Sequence, residues 1–378
     1  MATTQAGDAD LILGLDRDAE TDAILAVTNT DATSVVHAVE AEFDTIFTWD
    51  YEKGARPKLS RLYEKAKTSM WNGQTDLDWD TPVDQEQIAL AKAGNLGAFD
   101  PGLDLTGTPF AKWNEQDWIR FGIESQNWTL SQFMHGEQGA LVCTARIVES
   151  VPWIDAKYYA ATQVMDEARH LEVFSKYLDT KLSGHYPVNA HLRMLLDDII
   201  SDNRWDMTYL GMQIMVEGLA LAAFSFIQQL TAEPLLKQML RYVMSDEARH
   251  VAFGVITLQD YYQQLTSTEI RERQEFAFDA AVRMRDRLLQ QEVWERMGIP
   301  VAEMLPLIRQ SPERRMFLQL LFSKIVPNCR KLGLLDAGDG WLRQRFGELG
   351  VIGFEHCPDS GEEYDMFQLA NGVPLAAG

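Results

Sequence analysis

The pentapeptide Asp-Glu-Ala-Arg-His occurs twice, at 166–170 and 246–250, an offset of 80 residues. In each copy a carboxylate and an imidazole stand at i and i+3. On a helix that spacing puts Glu167 and His170 on one face, one turn apart, and Glu247 and His250 likewise. Such a pair can reach one metal ion, or its carboxylate can bridge two. Two histidines then imply two ions, whose charge requires further carboxylates. Thirty residues before each Glu-x-x-His there is one: Glu137 in FMHGEQGAL and Glu217 in IMVEGLALA. Neither has a Lys or Arg at i±3 or i±4. The neighbours are Phe133, Met134, Ala140 and Leu141 in one case, and Gln213, Ile214, Ala220 and Leu221 in the other. A buried carboxylate without a counter-charge costs on the order of several kcal/mol, so a cation is expected opposite each glutamate.

Long helices must carry these residues. Trp113 to about Pro152 shows apolar residues at helical spacing with no break, a helix of roughly 35 residues and about 50 Å. Trp153 to about Leu182 is a second, closed by SGHYPVN; a short helix AHLRMLLDDIISD follows. A second long pair is expected over WDMTYLGMQIMVEGLALAAFSFIQQL and over the run beginning at Pro234, which suits a first helical turn. Helix is predicted to continue through STEIRERQEFAFDAAVRMRDRLLQQEVWERM and SPERRMFLQLLFSKIVPNCRKLGLL. Shorter helices are expected within 33–95, including VVHAVEAEFDTIFTW and KLSRLYEKAKTSMW, ahead of a Gly/Pro-rich loop. No stretch alternates with period two, so the fold class is all-α.

Thirty residues is the contour of a helix hairpin that turns near Pro152 or Pro234. The 80-residue shift aligns Glu137 with Glu217, Lys157 with Lys237 and the two pentapeptides without a gap. Two such hairpins paired about a pseudo-twofold axis make a four-helix bundle with four Glu and two His at its centre, the arrangement of di-metal carboxylate proteins. Residues 1–32 are expected to be a flexible lead-in, 33–349 a single helical domain with the bundle at about 113–262, and 350–378 an irregular tail.

Composition narrows the remaining classes. Of 378 residues, 34 are basic and 56 acidic, a net charge of −22 that repels nucleic acid and anionic membranes and suits a basic partner protein. The cysteines, Cys143, Cys329 and Cys357, form no CxxC or paired framework, so a disulfide scaffold is not expected and a cytoplasmic setting is. The N-terminus lacks an export signal. The most apolar window has Glu217 at its centre, which argues against a membrane span.

Glu137, Glu167, His170, Glu217, Glu247 and His250 resemble the six-ligand motif of the ferritin-like di-iron carboxylate oxygenases. That group includes hydroxylase subunits of bacterial multicomponent monooxygenases, acyl-carrier-protein desaturases, arylamine N-oxygenases and benzoyl-CoA epoxidase. The resemblance covers about residues 113–262. It implies a ferritin-like four-helix bundle with flanking helices, two iron ions or a manganese–iron pair, and an O2-dependent oxidoreductase acting on an organic substrate. It also implies that Asp166 and Asp246 serve the histidines of the opposite hairpin and that Arg169 and Arg249 neutralise those aspartates. Phe174 stands where ribonucleotide reductase small subunits carry a radical tyrosine, and Glu137 where they usually carry Asp, which speaks against a stable tyrosyl radical. Val243 replaces the extra histidine of arylamine N-oxygenases. Leu221 replaces a threonine of the multicomponent hydroxylases, leaving Thr144, Ser225 or water to deliver protons.

Each signal has a plainer alternative. A lone Glu-x-x-His is usually a solvated surface pair; two copies with matched upstream glutamates are not. His135 points away from Glu137 at i−2. His37, His185, His191 and His356 read as surface residues, and Trp79, Trp113, Trp118 and Trp128 as packing. A substrate pocket one turn from the ligands would be lined by Phe133, Met134, Ala140, Leu141, Ala160, Phe174, Leu221, Phe224, Ser225 and Val243, a mostly apolar set favouring a hydrophobic or aromatic substrate. A packed bundle core has the same composition. With no flavin, nicotinamide or iron–sulfur motif, electrons must come from an external reductase or ferredoxin. A homodimer without nucleic-acid or membrane partners is expected. The competing class is an iron-storage ferroxidase or di-manganese catalase with no organic substrate. The roughly 110 residues on either side of the bundle favour substrate or partner elaboration.

Overall fold

The computed structural model describes residues 39, 45–46, 54–95 and 106–362. The lead-in expected at 1–32 and most of VVHAVEAEFDTIFTW lie outside them. Among the described residues every regular element is helical, as the periodicity predicts. In chain order these are α1 (Pro57–Thr68), α2 (Gln85–Asn95), α3 (Glu115–Ser150), α4 (Ile154–Lys181), α5 (Ala190–Ser201), α6 (Trp205–Leu230) and α7 (Pro234–Tyr262). They are followed by α8 (Ser267–Asp286), α9 (Gln291–Arg296), α10 (Val301–Gln310), α11 (Pro312–Lys331) and α12 (Trp341–Glu348).

The bundle consists of α3 packed along α4 and α6 along α7, with α4 meeting α7. Local chemistry sets the ends of each hairpin. Asn114 opens α3 by accepting from the backbone N–H groups of Gln116 and Asp117, and the Asp117 carboxylate returns a bond to the Asn114 N–H. At its far end Lys157 Nζ donates to the carbonyls of Val148 and Glu149 at 2.8 and 2.9 Å, tying the first turn of α4 to the last of α3. Glu233 caps α7 through the N–H groups of Leu235 and Leu236 and accepts from Tyr177 Oη at 2.8 Å. Pro234 takes the first helical position, where its missing N–H costs nothing. Buried Asp155 accepts from Gly54 N, Arg56 N and Ser60 Oγ at 2.9–3.0 Å, which anchors α1 against α4.

Three local features depart from the sequence expectations. α6 is not uniform: Leu210–Val216 is a π-helical turn placed directly before Glu217. Gly211 lets Ile199 of α5 pack closely on this turn, since a Cβ there would lie 2.5 Å from Ile199 Cγ1. The helix expected to run unbroken through Met297 stops at Asp286 and restarts at Gln291, with Gln290 between them at φ 51° and ψ 44°. A side chain in that left-handed region interrupts α-helical continuity. The described part of the tail expected as irregular from 350 carries a 3-10 turn, Ile352–His356, and is anchored where Asn328 and Ser360 exchange two hydrogen bonds of 2.9 Å.

α6 is long and apolar enough to cross a membrane, yet 72% of its apolar window is buried inside the protein, the behaviour of a core helix. The flanking helices enclose it: α11 packs on its second half and α8 on its π turn.

Candidate metal centre

Each hairpin delivers its upstream glutamate and its Glu-x-x-His to the middle of the bundle, where all six side chains are buried. Glu137, Glu167, His170 and Glu247 bring ligand atoms within 4.8 Å of one another, and Glu167, Glu217 and His250 do the same. His170 Nδ1 lies 3.0 Å from Glu247 Oε1 and 3.3 Å from Glu137 Oε2. His250 Nδ1 lies 3.0 Å from Glu167 Oε1 and 3.5 Å from Glu247 Oε2. Glu167 and Glu247 thus turn one oxygen towards each histidine, while Glu137 and Glu217 sit at opposite ends. That is a pair of adjacent positions with two shared carboxylates and one terminal carboxylate each.

The outward side of each imidazole is held crosswise. His170 Nε2 lies 3.1 Å from Asp246 Oδ2, and His250 Nε2 3.3 Å from Asp166 Oδ2, so each histidine is served by the aspartate of the other hairpin. An Nε2–H donated to a carboxylate turns the Nδ1 lone pair inwards. Arg169 Nη2 donates to Asp166 at 2.5 Å and to Asp246 at 2.8 Å, while Arg249 donates to Asp246 and, at 3.3 Å, to Asp166. These four charged residues sum to zero and lie between α4 and α7.

The inner donor set fits metal ions by its unmet bonding. His170 Nδ1, His250 Nδ1, Glu167 Oε2, Glu217 Oε2 and both Glu247 oxygens are buried without a hydrogen-bond partner. Polar atoms so placed are costly unless something cationic joins them. Protonation reports the same deficit. Burial, with Glu247 beside it, pushes the Glu137 carboxyl up to about 8. Burial and the neighbouring Glu167 charge drive Glu217 well above the usual carboxylate range. Burial works against charge on His170, but Asp246, Glu137, Glu167 and Glu247 outweigh it and hold the imidazolium well above its ordinary range. The opposite holds for Glu167, which burial would raise and the two histidines bring down. Protons occupy the place of cations.

Two contributors had no counterpart in the sequence reading. Trp71, in the turn after α1, donates Nε1–H to Asp246 Oδ2 at 2.7 Å and stacks on Tyr242 at 4.9 Å between ring centroids. Arg169 lies over the same indole at 4.7 Å. Gln163, one turn before Glu167, donates from Nε2 to Glu167 Oε1 at 2.9 Å and to Glu217 Oε1 at 3.0 Å. Its position relative to Glu167 was a usable signal, since i and i+4 share a face. Trp71 gave none: it closes the helix expected over KLSRLYEKAKTSMW, whereas that helix ends at Thr68 and leaves the indole in a turn far upstream of the bundle.

Of the expected pocket residues, Phe133, Phe174, Phe224 and Val243 join one buried cluster with Met134 packed on it. The three phenyl rings touch, with centroids 4.7, 5.7 and 5.9 Å apart, and fill the space between them. Ala140 and Ala160 belong to a different cluster. Leu141, Leu221 and Ser225 are half-buried, and Ser225 Oγ accepts from Gln229 Nε2 at 3.2 Å. Thr144 is fully buried, and its hydroxyl lacks a hydrogen-bond partner. His135 is held at 2.9 Å by the Tyr186 carbonyl. His191, expected at the surface, is buried at 6% exposure because α5 packs it inwards. His185 pairs with Asp179 at 3.0 Å, and His356 is exposed; His37 lies outside the described residues.

No protein-family model matches the chain, and no curated protein matches it in sequence. Among solved structures, an R2-like ligand-binding oxidase variant, aerobically reconstituted with a Mn/Fe cofactor, aligns with a TM-score of 0.51 at 16% identity. The match covers 74% of this chain and 94% of that one. Another variant of an R2-like ligand-binding oxidase, also with a Mn/Fe cofactor, aligns at 0.49 and 18% identity over 75% and 94% of the two chains. The likeness establishes the ferritin-like helical-bundle fold.

Proposed function

We propose that this chain is an O2-dependent di-metal oxidoreductase that oxidises a hydrophobic or aromatic organic substrate. The observation that carries the reading is the ring of inward ligand atoms without partners, two imidazole nitrogens and the oxygens of three glutamates, in a buried site whose imidazoles are each held on the outer side by an aspartate. Glu137, Glu167, His170 and Glu247 would hold one ion, and Glu167, Glu217, Glu247 and His250 the other. Bound there, an Fe/Fe or Mn/Fe pair supplies the redox chemistry of O2 reduction. The protein's own residues supply geometry, dryness and protons. Asp166 and Asp246 fix both imidazole rings. The packed Phe133, Phe174 and Phe224 rings exclude water from the Glu137 end and offer an apolar wall to a substrate. Thr144, whose buried hydroxyl has no hydrogen-bond partner, or water would move a proton.

Electrons would come from a separate reductase or ferredoxin docking on the acidic surface of a cytoplasmic homodimer, a role suited to the net charge of −22. Reconstitution with Fe(II) without oxygen, followed by stopped-flow mixing with O2, tests the proposal. Uptake of two metal ions per chain and an absorbing intermediate quenched by organic substrates is the expected result. Mineralisation beyond two irons per chain, or rapid O2 release from peroxide, would favour storage or catalase chemistry and overturn it.

A further inference from the structure

The two halves of the centre are related by the 80-residue repeat, and among the buried positions where the copies differ is one that touches the candidate ligands directly. Gln163 stands one turn before Glu167; its counterpart one turn before Glu247 is Val243. Both are completely buried. The Gln163 amide binds the shared carboxylate Glu167 through Oε1, the oxygen nearest His250, and binds the terminal carboxylate Glu217 through its Oε1. Glu217 Oε2 is left free, as is Glu167 Oε2 on the His170 side. A carboxylate oxygen has two lone pairs, so Glu167 Oε1 can accept from the amide and still face the Glu217–His250 position.

At the other end Val243 offers no donor. It packs instead into the cluster of Phe133, Phe174 and Phe224, and both Glu247 oxygens remain without a hydrogen bond. The amide therefore pins the terminal carboxylate Glu217 and the His250-side oxygen of the shared Glu167, whereas no such amide reaches Glu137 or Glu247.

We propose that Gln163 is a positioning residue that makes the two metal positions inequivalent. It preorganises the Glu217–His250 position for tighter binding and leaves Glu137 and Glu247, at the His170 position, free to reorient. A neutral amide suits this task. A lysine or arginine there would compete with the metal for the carboxylates, whereas an amide orders them without neutralising them. The unpartnered Gln163 Oε1, also buried, leaves an acceptor for a water or for the N–H or O–H of a ligand at that end of the site.

The inference rests on the two-metal reading, and the test separates them. Anaerobic Co(II) titration, followed by visible absorbance and equilibrium dialysis, should show two stepwise sites in the unaltered chain; fewer than two would refute the two-metal reading itself. In Gln163→Met, similar in length but with no donor, one step should weaken by about 10–100-fold and the other should hold. In Glu217→Ala, which removes the pinned position, adding Gln163→Met should produce no further shift in the site that remains. Gln163→Asn, too short to reach both carboxylates, should behave like Gln163→Met and serves if the latter fails to fold. Two sites in the unaltered chain with equal weakening of both steps, or with neither step moved, would overturn the proposal. So would a further shift in the Glu217→Ala background.

Discussion

Replacing Asp246 with Asn tests whether the crossed Asp–His pairing holds the hairpins together without metal. Asp246 is 1% exposed and receives Trp71 Nε1 at 2.7 Å, Arg169 Nη2 at 2.8 Å, His170 Nε2 at 3.1 Å and a further bond from Arg249. Asn keeps the shape and one acceptor oxygen but removes the charge, leaving two guanidiniums facing Asp166 alone. Hydrogen bonds to a charged partner contribute about 1.5–3 kcal/mol each, and breaking one side of a buried ion pair costs about 3–5 kcal/mol. The expected destabilisation is therefore about 3–5 kcal/mol. Asp166→Asn should cost less, because Asp166 receives Arg169 at 2.5 Å but Arg249 and His250 only at 3.3 Å, and no indole. Urea unfolding of the metal-free chain, followed by circular dichroism, measures both through midpoint shifts at a common slope. A cost below about 1 kcal/mol for Asp246→Asn, or a larger cost for Asp166→Asn, would refute the reasoning.

Glu137→Ala or Glu217→Ala should each lose at least one bound ion, measured by dialysis and elemental analysis; unchanged two-ion stoichiometry would sink the ligand assignment. In the metal-free fold His170 and His250 are raised well above their ordinary range and Glu137 is pushed from 4.5 up to about 8. The folded chain then binds more protons than the unfolded chain between those values. Its stability should fall as pH rises through that window, and metal loading near pH 7 should release protons, measurable by calorimetry in buffers of different ionisation enthalpy. A Cβ on Gly122 would meet Ala89 Cβ at 2.6 Å and the Ala89 backbone Cα at 3.0 Å, whereas one on Gly139 meets only the movable tip of Leu196. Gly122→Ala should therefore lower the melting temperature, with a cost of about 1–3 kcal/mol, and Gly139→Ala by much less. Phe224→Ala should cost about 3–5 kcal/mol and open a void that binds small apolar molecules, detectable by recovery of thermal stability on adding them.

The bundle and the buried clustering of Glu137, Glu167, His170, Glu217, Glu247 and His250 were legible because helical spacing and a repeated segment reinforce one another. The crossed Asp166 and Asp246 contacts are those that the resemblance to the di-iron carboxylate oxygenases implied. Trp71 was not legible, since its reach to Asp246 depends on a turn with no periodic pattern, 175 residues away in sequence. The π turn at Leu210–Val216 was equally hidden, because every residue there is buried and a helix buried on every side shows no displaced stripe. Gln163 lay inside the recognised segment, but its meaning rests on the mismatch with Val243 rather than on the repeat.

The neutral Asp166, Arg169, Asp246 and Arg249 quartet gives the protein a latch that needs no cofactor. Many small metal-binding domains fold only when their ion arrives, so folding and metal choice are one event. Here four charges from both hairpins close on one another without using a metal ligand, so the quartet would hold α4 against α7 independently of the ions. Folding and metal choice would then be separable, and loading would exchange the protons on the buried carboxylates for ions.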